Sequence, residues 1–259
     1  MKIYSSLAEW WPLLSPPAEY SVEAEHHWRL LRSHARRGIQ TLLELGCGGG
    51  NNAAHLRHRC RLTLTDVSPQ MLAVSRARNP GCEHVEGDMR TLRLLDEAGN
   101  SRAFDAVLVH DGIMYMTTES ALRDAMTTAF VHLAPGGAAL FVPDCTRETW
   151  SSGTGHGGHD GDGRGLRFVD WTYDPDPADT HYTVDIAFLL RDRDRVTRVE
   201  HDRHCLGFFP VQTWLDLLRS VGFQPHVLGC DYPGGESARS FVGVRPEAVS
   251  ADRGGRLGR

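Results

Sequence analysis

The chain has 259 residues, 41% of them hydrophobic and 24% charged, a balance that supports a buried core and excludes wholesale disorder. Its formal net charge of −5 argues against a groove built for nucleic acid, where clustered cations dominate affinity. No apolar run approaches the ~18 residues of a membrane span, and the opening MKIYSSLAEWWPLLSPP lacks the basic region of a secretory signal, so a cytoplasmic protein with no membrane partner is expected.

TLLEL (41–45) reads as a buried strand, followed by the glycine cluster 46–50 and then by a helix for which Asn51 or Asn52 is the candidate N-cap. LTLT (62–65) is a second strand, and Ser68-Pro69 opens a helix running to Arg78 with proline in its first turn. CEHVE (82–86) and FDAVLV (104–109) are the third and fourth strands. The segment 118–133 reads as a long helix stopped by Ala134-Pro135-Gly136-Gly137, and AALFVPD (138–144) as a fifth strand. Apolar strands alternating with helices imply a parallel sheet covered on both faces, an open α/β fold.

Beyond Asp144 the pattern changes. SSGTGHGGHDGDGRG (151–165) reads as a mobile loop. The runs 166–173, 181–190 and 195–205 are β-rich and separated by the turn sequences DPDPAD and RDRD, which predicts an antiparallel meander. A helix over 210–221, with Gly222 as its stop, and short strands near 226–228 and 241–245 complete the main sheet; the Arg/Gly-rich tail from Glu247 is expected to fray. The chain thus divides as 1–40, a core over 41–145, a loop and β cap over 146–205, a return to the core over 206–246, and a tail over 247–259. Cys47, Cys60, Cys82, Cys145, Cys205 and Cys230 show no paired spacing and read as free thiols.

The constellation richest in chemistry is Glu44-Leu45-Gly46-Cys47-Gly48-Gly49-Gly50, with Asp66 ending the second strand. Ligands of open α/β sheets bind outside the carboxyl ends of the strands, and glycines there let the backbone approach closely. Asp66 is placed to accept from both hydroxyls of a ribose. The G-x-G-G-G pattern departs from the dinucleotide G-x-G-x-x-G, and Gly87-Asp88-Met89-Arg90 adds a second acidic signal, in which Asp88 accepts from an adenine amino group and Met89 packs on the ring. Both features point away from NAD.

Through LLELGCGGG, LTLTDVSPQML, VEGDMRTL, FDAVLVHDGIMYM and HLAPGGAALFVPD, in that order over about residues 41–144, the chain resembles the class I S-adenosylmethionine (SAM)-dependent methyltransferases, and among them small-molecule members of actinobacterial natural-product metabolism. The resemblance implies a Rossmann-like seven-stranded, mostly parallel sheet with helices on both faces, an antiparallel β meander as active-site cover, and residues 1–40 as a helical lid. It implies S-adenosyl-L-methionine as cofactor and S-adenosyl-L-homocysteine as product. Carried over residue by residue, Gly46, Cys47 and Gly48 lie under the methionine part and Glu44 orients the turn or meets the amino group. Asp66 holds the ribose with Val67, Ser68 and Met71 beside it, Asp88, Met89 and Arg90 bracket the adenine, and His110 and the lid residue Tyr20 lie near the cofactor.

Methyl transfer from a sulfonium needs alignment and exclusion of water more than acid–base machinery, so no strong catalytic signature is required. Asp111 and Tyr115, after the fourth strand, are the candidates for acceptor contact or proton removal, with His204 as a secondary base; Tyr4, Trp11 and Trp171 are candidate acceptor contacts. The HDGI sequence at 110–113 lacks the Asn/Asp-Pro-Pro-Tyr/Phe signature of DNA and protein-glutamine methylators. The loop residues His156, His159, Asp160 and Asp162 lack closed zinc-site spacing and read as a lid, with no metal. Seven aspartates between Asp160 and Asp185 favour an amine acceptor if they overhang the pocket, and mean nothing if they only form turns. The expectation is N-methylation of a small molecule by a monomer or homodimer with no nucleic-acid partner. O-methylation of a hydroxyl, carboxylate or phosphonate is the first alternative, and a SAM-binding pericyclase or binding protein the second.

Overall fold

Short apolar runs become the strands of a central sheet in the computed structural model, which describes residues 1–229 and 239–247. In chain order they are β1 (Thr41–Leu45), β2 (Arg61–Asp66), β3 (Glu83–Glu86), β4 (Phe104–His110) and β5 (Leu133–Val142). There follow β6 (Gly153–Gly157), β7 (Asp160–Gly161), β8 (Arg164–Tyr173), β9 (His181–Asp192) and β10 (Arg195–Gly207), then β11 (Gln224–Gly229) and β12 (Arg239–Val244). The helices are α1 (Trp11–Leu14), α2 (Ser21–His34), α3 (Asn51–Leu56), α4 (Pro69–Arg78), α5 (Glu119–Val131) and α6 (Val211–Val221).

Seven strands form the main sheet in the order β11-β12-β5-β4-β1-β2-β3, and β12 runs antiparallel to both of its neighbours. Successive side chains of a strand point to opposite faces, and here both faces are buried. Leu43, Val107, Val109 and Phe141 pack with Leu122, Met126, Trp214 and Leu218 of α5 and α6 on one side. Leu42, Leu64, Leu108 and Leu140 pack with Trp28, Leu31, Leu56 and Leu72 of α2, α3 and α4 on the other. The strand order reverses between β4 and β1, which opens a crevice at their carboxyl ends.

Several local expectations change. Gly50, with φ 73°, occupies the N-cap position of α3, and neither asparagine caps it: Asn51 donates its side-chain amide to the Ser15 carbonyl at 3.1 Å, and Asn52 turns toward His110. Pro135-Gly136-Gly137 lies inside β5, which begins at Leu133 and carries a register shift against β4 between Phe104 and Ala106. The expected mobile loop 151–165 instead forms β6 and β7, both paired with β8.

The second sheet, β10-β9-β8-β6, is antiparallel throughout, and its inner face carries Leu166, Phe188 and Leu190 onto Ile3, Leu7 and Trp10 of the N-terminal segment. That segment is therefore clamped between the meander and the main sheet. No helix among the described residues is long and apolar enough to cross a membrane. Cys230 and the tail beyond Glu247 lie outside the described residues.

Candidate cofactor and acceptor site

A cavity of about 740 Å³ opens where β1, β2 and β4 end, roofed by the N-terminal segment and the inner face of the meander. The turn after β1 is drawn against β2, with Gly46 and Cys47 donating their N–H groups to the Thr65 carbonyl at 2.9 and 2.8 Å. Gly48 adopts φ +52°, a left-handed conformation, and donates its N–H to Oδ2 of Asp66 at 2.8 Å. Oδ1 of the same carboxylate accepts from Ser68 N–H at 2.8 Å, so Asp66 ties together the loops following β1 and β2. Burial raises the Asp66 pKa, and these backbone donors counter it.

At one end of the cavity, Arg90 grips Asp88 through Nε at 3.0 Å to each oxygen, and this hydrogen-bonded pair holds the Asp88 carboxyl below its usual range. Met89 lies over Gly46 and Gly112. Towards the middle stand Glu44, 3% exposed with Oε2 unpartnered, and Asn52, whose Oδ1 is also unpartnered. Burial pushes Glu44 up to about 8; His110 opposes this, while Asp66 and Glu23 reinforce it. Cys47 also lines the cavity, its thiol raised well above the usual range by burial and the nearby carboxylates Glu44 and Asp66, which suits a small apolar filler rather than a nucleophile.

His110, at the end of β4, places Nε2 3.0 Å from Glu23 and 2.9 Å from Asp111. Burial disfavours its charge, yet Asp111 and Glu23 outweigh that and keep the ring protonated well above its usual pKa. Asp111 has φ 46°, uncommon for a non-glycine residue and of a kind that concentrates at functional sites. Its side chain meets that of Asp144, two residues past β5. Burial and the Asp111 charge drive Asp144 well above the carboxylate range, so Asp144 is the protonated member.

A second polar chain crosses the acceptor end. The Tyr115 hydroxyl donates to the Tyr4 hydroxyl at 3.1 Å and lies 2.9 Å from Nδ1 of His204. Nε2 of His204 lies 3.3 Å from Oδ2 of Asp202, an oxygen that also accepts from Ile3 N–H at 3.1 Å. Burial lowers the His204 pKa, only partly offset by Asp202, and burial raises both tyrosines. The aromatic walls are Tyr4, Trp11, Tyr20 and Tyr115, with Phe168, Tyr182 and Phe188 from the meander.

The cavity gathers Tyr4, Trp11, Tyr20, Glu44, Gly46, Cys47, Gly48, Asp66, Val67, Ser68, Asp88, Met89, Arg90, His110, Asp111, Tyr115 and His204. Two expected residues do not join them. Met71 is fully buried beneath the glycine turn, a packing position. Trp171 is 61% exposed and stands beside Tyr173 on the outer face, because Phe168, Asp170 and Thr172 take the inward parity of β8. Of the seven aspartates, Asp170 alone lines the cavity. Asp174, Asp176 and Asp179 accept from backbone N–H groups in turns, while Asp160 and Asp185 are paired with arginines. His159 of the glycine-rich segment meets Glu19 at 3.0 Å and fastens β6–β7 to the N-terminal segment.

Asn52, Asp144 and Tyr182 line the cavity without having been expected there, and Asp170 was expected only as one of seven aspartates. Among the three, Asp144 alone carried a signal, as the polar residue closing the apolar run AALFVPD.

A family model described as a methyltransferase domain matches residues 42–137. Over 230 residues the chain is 27% identical to the dTDP-3-amino-3,4,6-trideoxy-alpha-D-glucopyranose N,N-dimethyltransferase of Streptomyces venezuelae, covering 87% of this chain and 91% of that protein. It is 31% identical over 123 residues to nodulation protein S of Sinorhizobium fredii, spanning 47% of this chain and only 56% of that one. The crystal structure of Streptomyces venezuelae DesVI superposes with a TM-score of 0.77 at 26% identity, covering 88% of this chain and 92% of that chain.

Proposed function

The chain is a class I SAM-dependent methyltransferase, and on that premise we propose that it methylates the amine of a small, sugar-like acceptor. The cofactor is SAM, and the orphaned acceptors Glu44 Oε2 and Asn52 Oδ1 fit the ammonium group of its methionine end. We assign Glu44 to the ammonium group, Asp66 to the ribose hydroxyls, Asp88 and Met89 to the adenine, and the faces of Tyr4, Trp11 and Tyr115 to the region of the sulfonium. When bound, the cofactor supplies a methyl group on a positively charged sulfur that leaves as a neutral thioether.

The observation that carries the amine is the acceptor end of the cavity. It presents the carboxylates of Asp111 and Asp170 beside protonated Asp144, and among the described lining residues the one arginine, Arg90, is already gripped by Asp88. Such a wall attracts an ammonium and disfavours a carboxylate or phosphate. An ammonium has no lone pair, so a proton must leave before attack. Asp111 holds the group; the Tyr4 and Tyr115 hydroxyls, whose hydrogens rotate freely, lead to neutral His204 Nδ1, which takes the proton, and Asp202 stabilises the resulting charge. The sugar-like character is supported by similarity to an amino-sugar N,N-dimethyltransferase that extends beyond 42–137 into the meander.

The test is incubation with SAM and a panel of free amino sugars, nucleotide-linked amino sugars, hydroxylated sugars and carboxylic acids, read by mass spectrometry. One or two methyl groups on an amine, with equimolar S-adenosylhomocysteine, is the expected outcome. Methylation confined to carboxylates or hydroxyls, or no methylation of any amine, would sink the reading.

A further inference from the structure

We propose that Glu23, His27 and His110 form a site for a first-row divalent metal ion of the Zn²⁺ or Mn²⁺ type, between α2 and the end of β4, where His110 reaches the cavity. Glu23 and His27 lie one turn apart on α2 and so share a face of that helix. One donor atom from each of the three residues lies within 4.8 Å of the others. Glu23 Oε1 and Asp111 Oδ1 stand 3.0 and 2.9 Å from the same nitrogen, Nε2 of His110. Adjacent donors at ~2.1 Å from one ion stand ~3.0–3.4 Å apart, so Glu23 and Asp111 have that spacing about His110, while His27, within 4.8 Å of the others, closes on the ion by side-chain adjustment.

His27 is the second, independent sign. It is 0% exposed, the Asn52 side chain is in hydrogen-bonding reach of one ring nitrogen, and the other nitrogen has no partner. A buried polar atom left so needs an explanation, and a bound ion supplies one. Burial and the charge of His110 keep His27 neutral, which is the form that coordinates metals. The Asn52 side-chain amide lies 3.2 Å from Nδ1 of His110; a ring that coordinates through Nε2 carries its proton on Nδ1, so on metal binding this amide turns its oxygen to that N–H. Two imidazoles with carboxylate select a borderline first-row ion over Mg²⁺ or Ca²⁺, which prefer oxygen. The ion would displace the proton that His110 now shares with Glu23 and Asp111. It would pin α2 to the sheet and offset charge among Glu23, Glu44 and Asp111.

This inference does not depend on the identity of the acceptor, and metal content tests it without activity. Untagged protein is dialysed against Zn²⁺, and separately Mn²⁺, then exchanged into metal-free buffer and analysed. Wild type should retain one equivalent, with affinity falling ~tenfold or more in Glu23→Gln and His27→Ala. His156→Ala, on the glycine-rich segment, should bind as wild type does. Because His27→Ala removes a core ring, a measurement on wild type alone accompanies it: pulsed electron paramagnetic resonance of the Mn²⁺-loaded protein should show coupling to imidazole nitrogen. No retained metal, no nitrogen coupling, or full retention by Glu23→Gln overturns the proposal.

Discussion

At the end of β1, Glu44 joins a buried carboxyl to a cavity and to a pKa of about 8, so in the free protein it carries its proton at neutral pH. If it meets the cofactor's ammonium group as assigned, binding must ionise it and release one proton. The sign follows from linkage: affinity for S-adenosylhomocysteine rises by up to ~tenfold per pH unit below about pH 7.5, peaks near pH ~8, and falls above it as the ligand's own amino group, pKa ~8, loses the proton the ion pair needs. Calorimetry at pH 7 in two buffers of different ionisation heat should report about one proton released by wild type and none by Glu44→Gln. Equal release in both would remove Glu44 from the ammonium site. Glu44 and Asp66 were legible because they sit at the ends of apolar strands, where this class of sheet puts its ligands. Glu23 and Asn52 were not, because their relation to the cavity depends on how α2 and α3 dock, which periodicity along the chain does not encode. Trp171 shows the complementary failure: a strand's two faces are distinguishable only when one is plainly apolar, and β8 alternates Val169 and Trp171 outward with Phe168 and Asp170 inward.

The elements that roof the cavity hold one another as well as α3 and α4 beneath them. Ile3, Leu7 and Trp10, at 1%, 0% and 5% exposure, fill the inner face of the meander, and Ile3 N–H docks on Asp202. Backbone bonds stitch the second layer: His159 N–H donates to the Leu13 carbonyl at 2.9 Å, and Leu166 N–H to the His159 carbonyl at 3.0 Å. This explains why 151–165 is ordered despite its composition. Gly158, at φ +108°, lies so close to β8 that a Cβ would stand 2.2 Å from the Leu166 carbonyl oxygen, so glycine there serves close packing. From sequence alone, glycine as a spacer and glycine as a source of mobility look alike. Leu7→Ala should cost about 2–5 kcal/mol of docking free energy, with amide exchange of residues 3–10 accelerating ~30-fold or more. Amides of β1, β4 and β5 should keep their protection. Acceleration spread evenly over both sheets would show that the roof and the sheet open as one unit.

Across the whole molecule, the net charge of −5 acquires a direction. The cavity is lined by the carboxylates Asp66, Asp88, Asp111 and Asp170, with Glu44 and Asp144 protonated and His204 neutral, against the cations Arg90 and His110. Most of the acid in the meander is spent on turns and arginine pairs, so the field inside the cavity comes from strand ends of the main sheet together with Asp170. A cleft lined by one sign of charge concentrates ligands of the opposite sign, and salt screens that attraction over a Debye length of ~10 Å at 0.1 M. For an acceptor that arrives as an ammonium ion, kcat/KM should therefore fall several-fold as ionic strength rises from ~0.02 to ~0.3 M. Asp170→Asn should lower the value at low salt and flatten the dependence, while leaving S-adenosylhomocysteine affinity within about threefold, because Asp170 belongs to the roof over the acceptor end and not to the glycine turn. The same measurement sorts the acceptors. A nucleotide-linked amino sugar brings a diphosphate that the acid wall repels, so its kcat/KM should rise with salt where that of the free amine falls. If the nucleotide-linked compound is favoured at low salt and weakened by added salt, the field that reaches the acceptor is positive, and the case for a cationic acceptor fails with it.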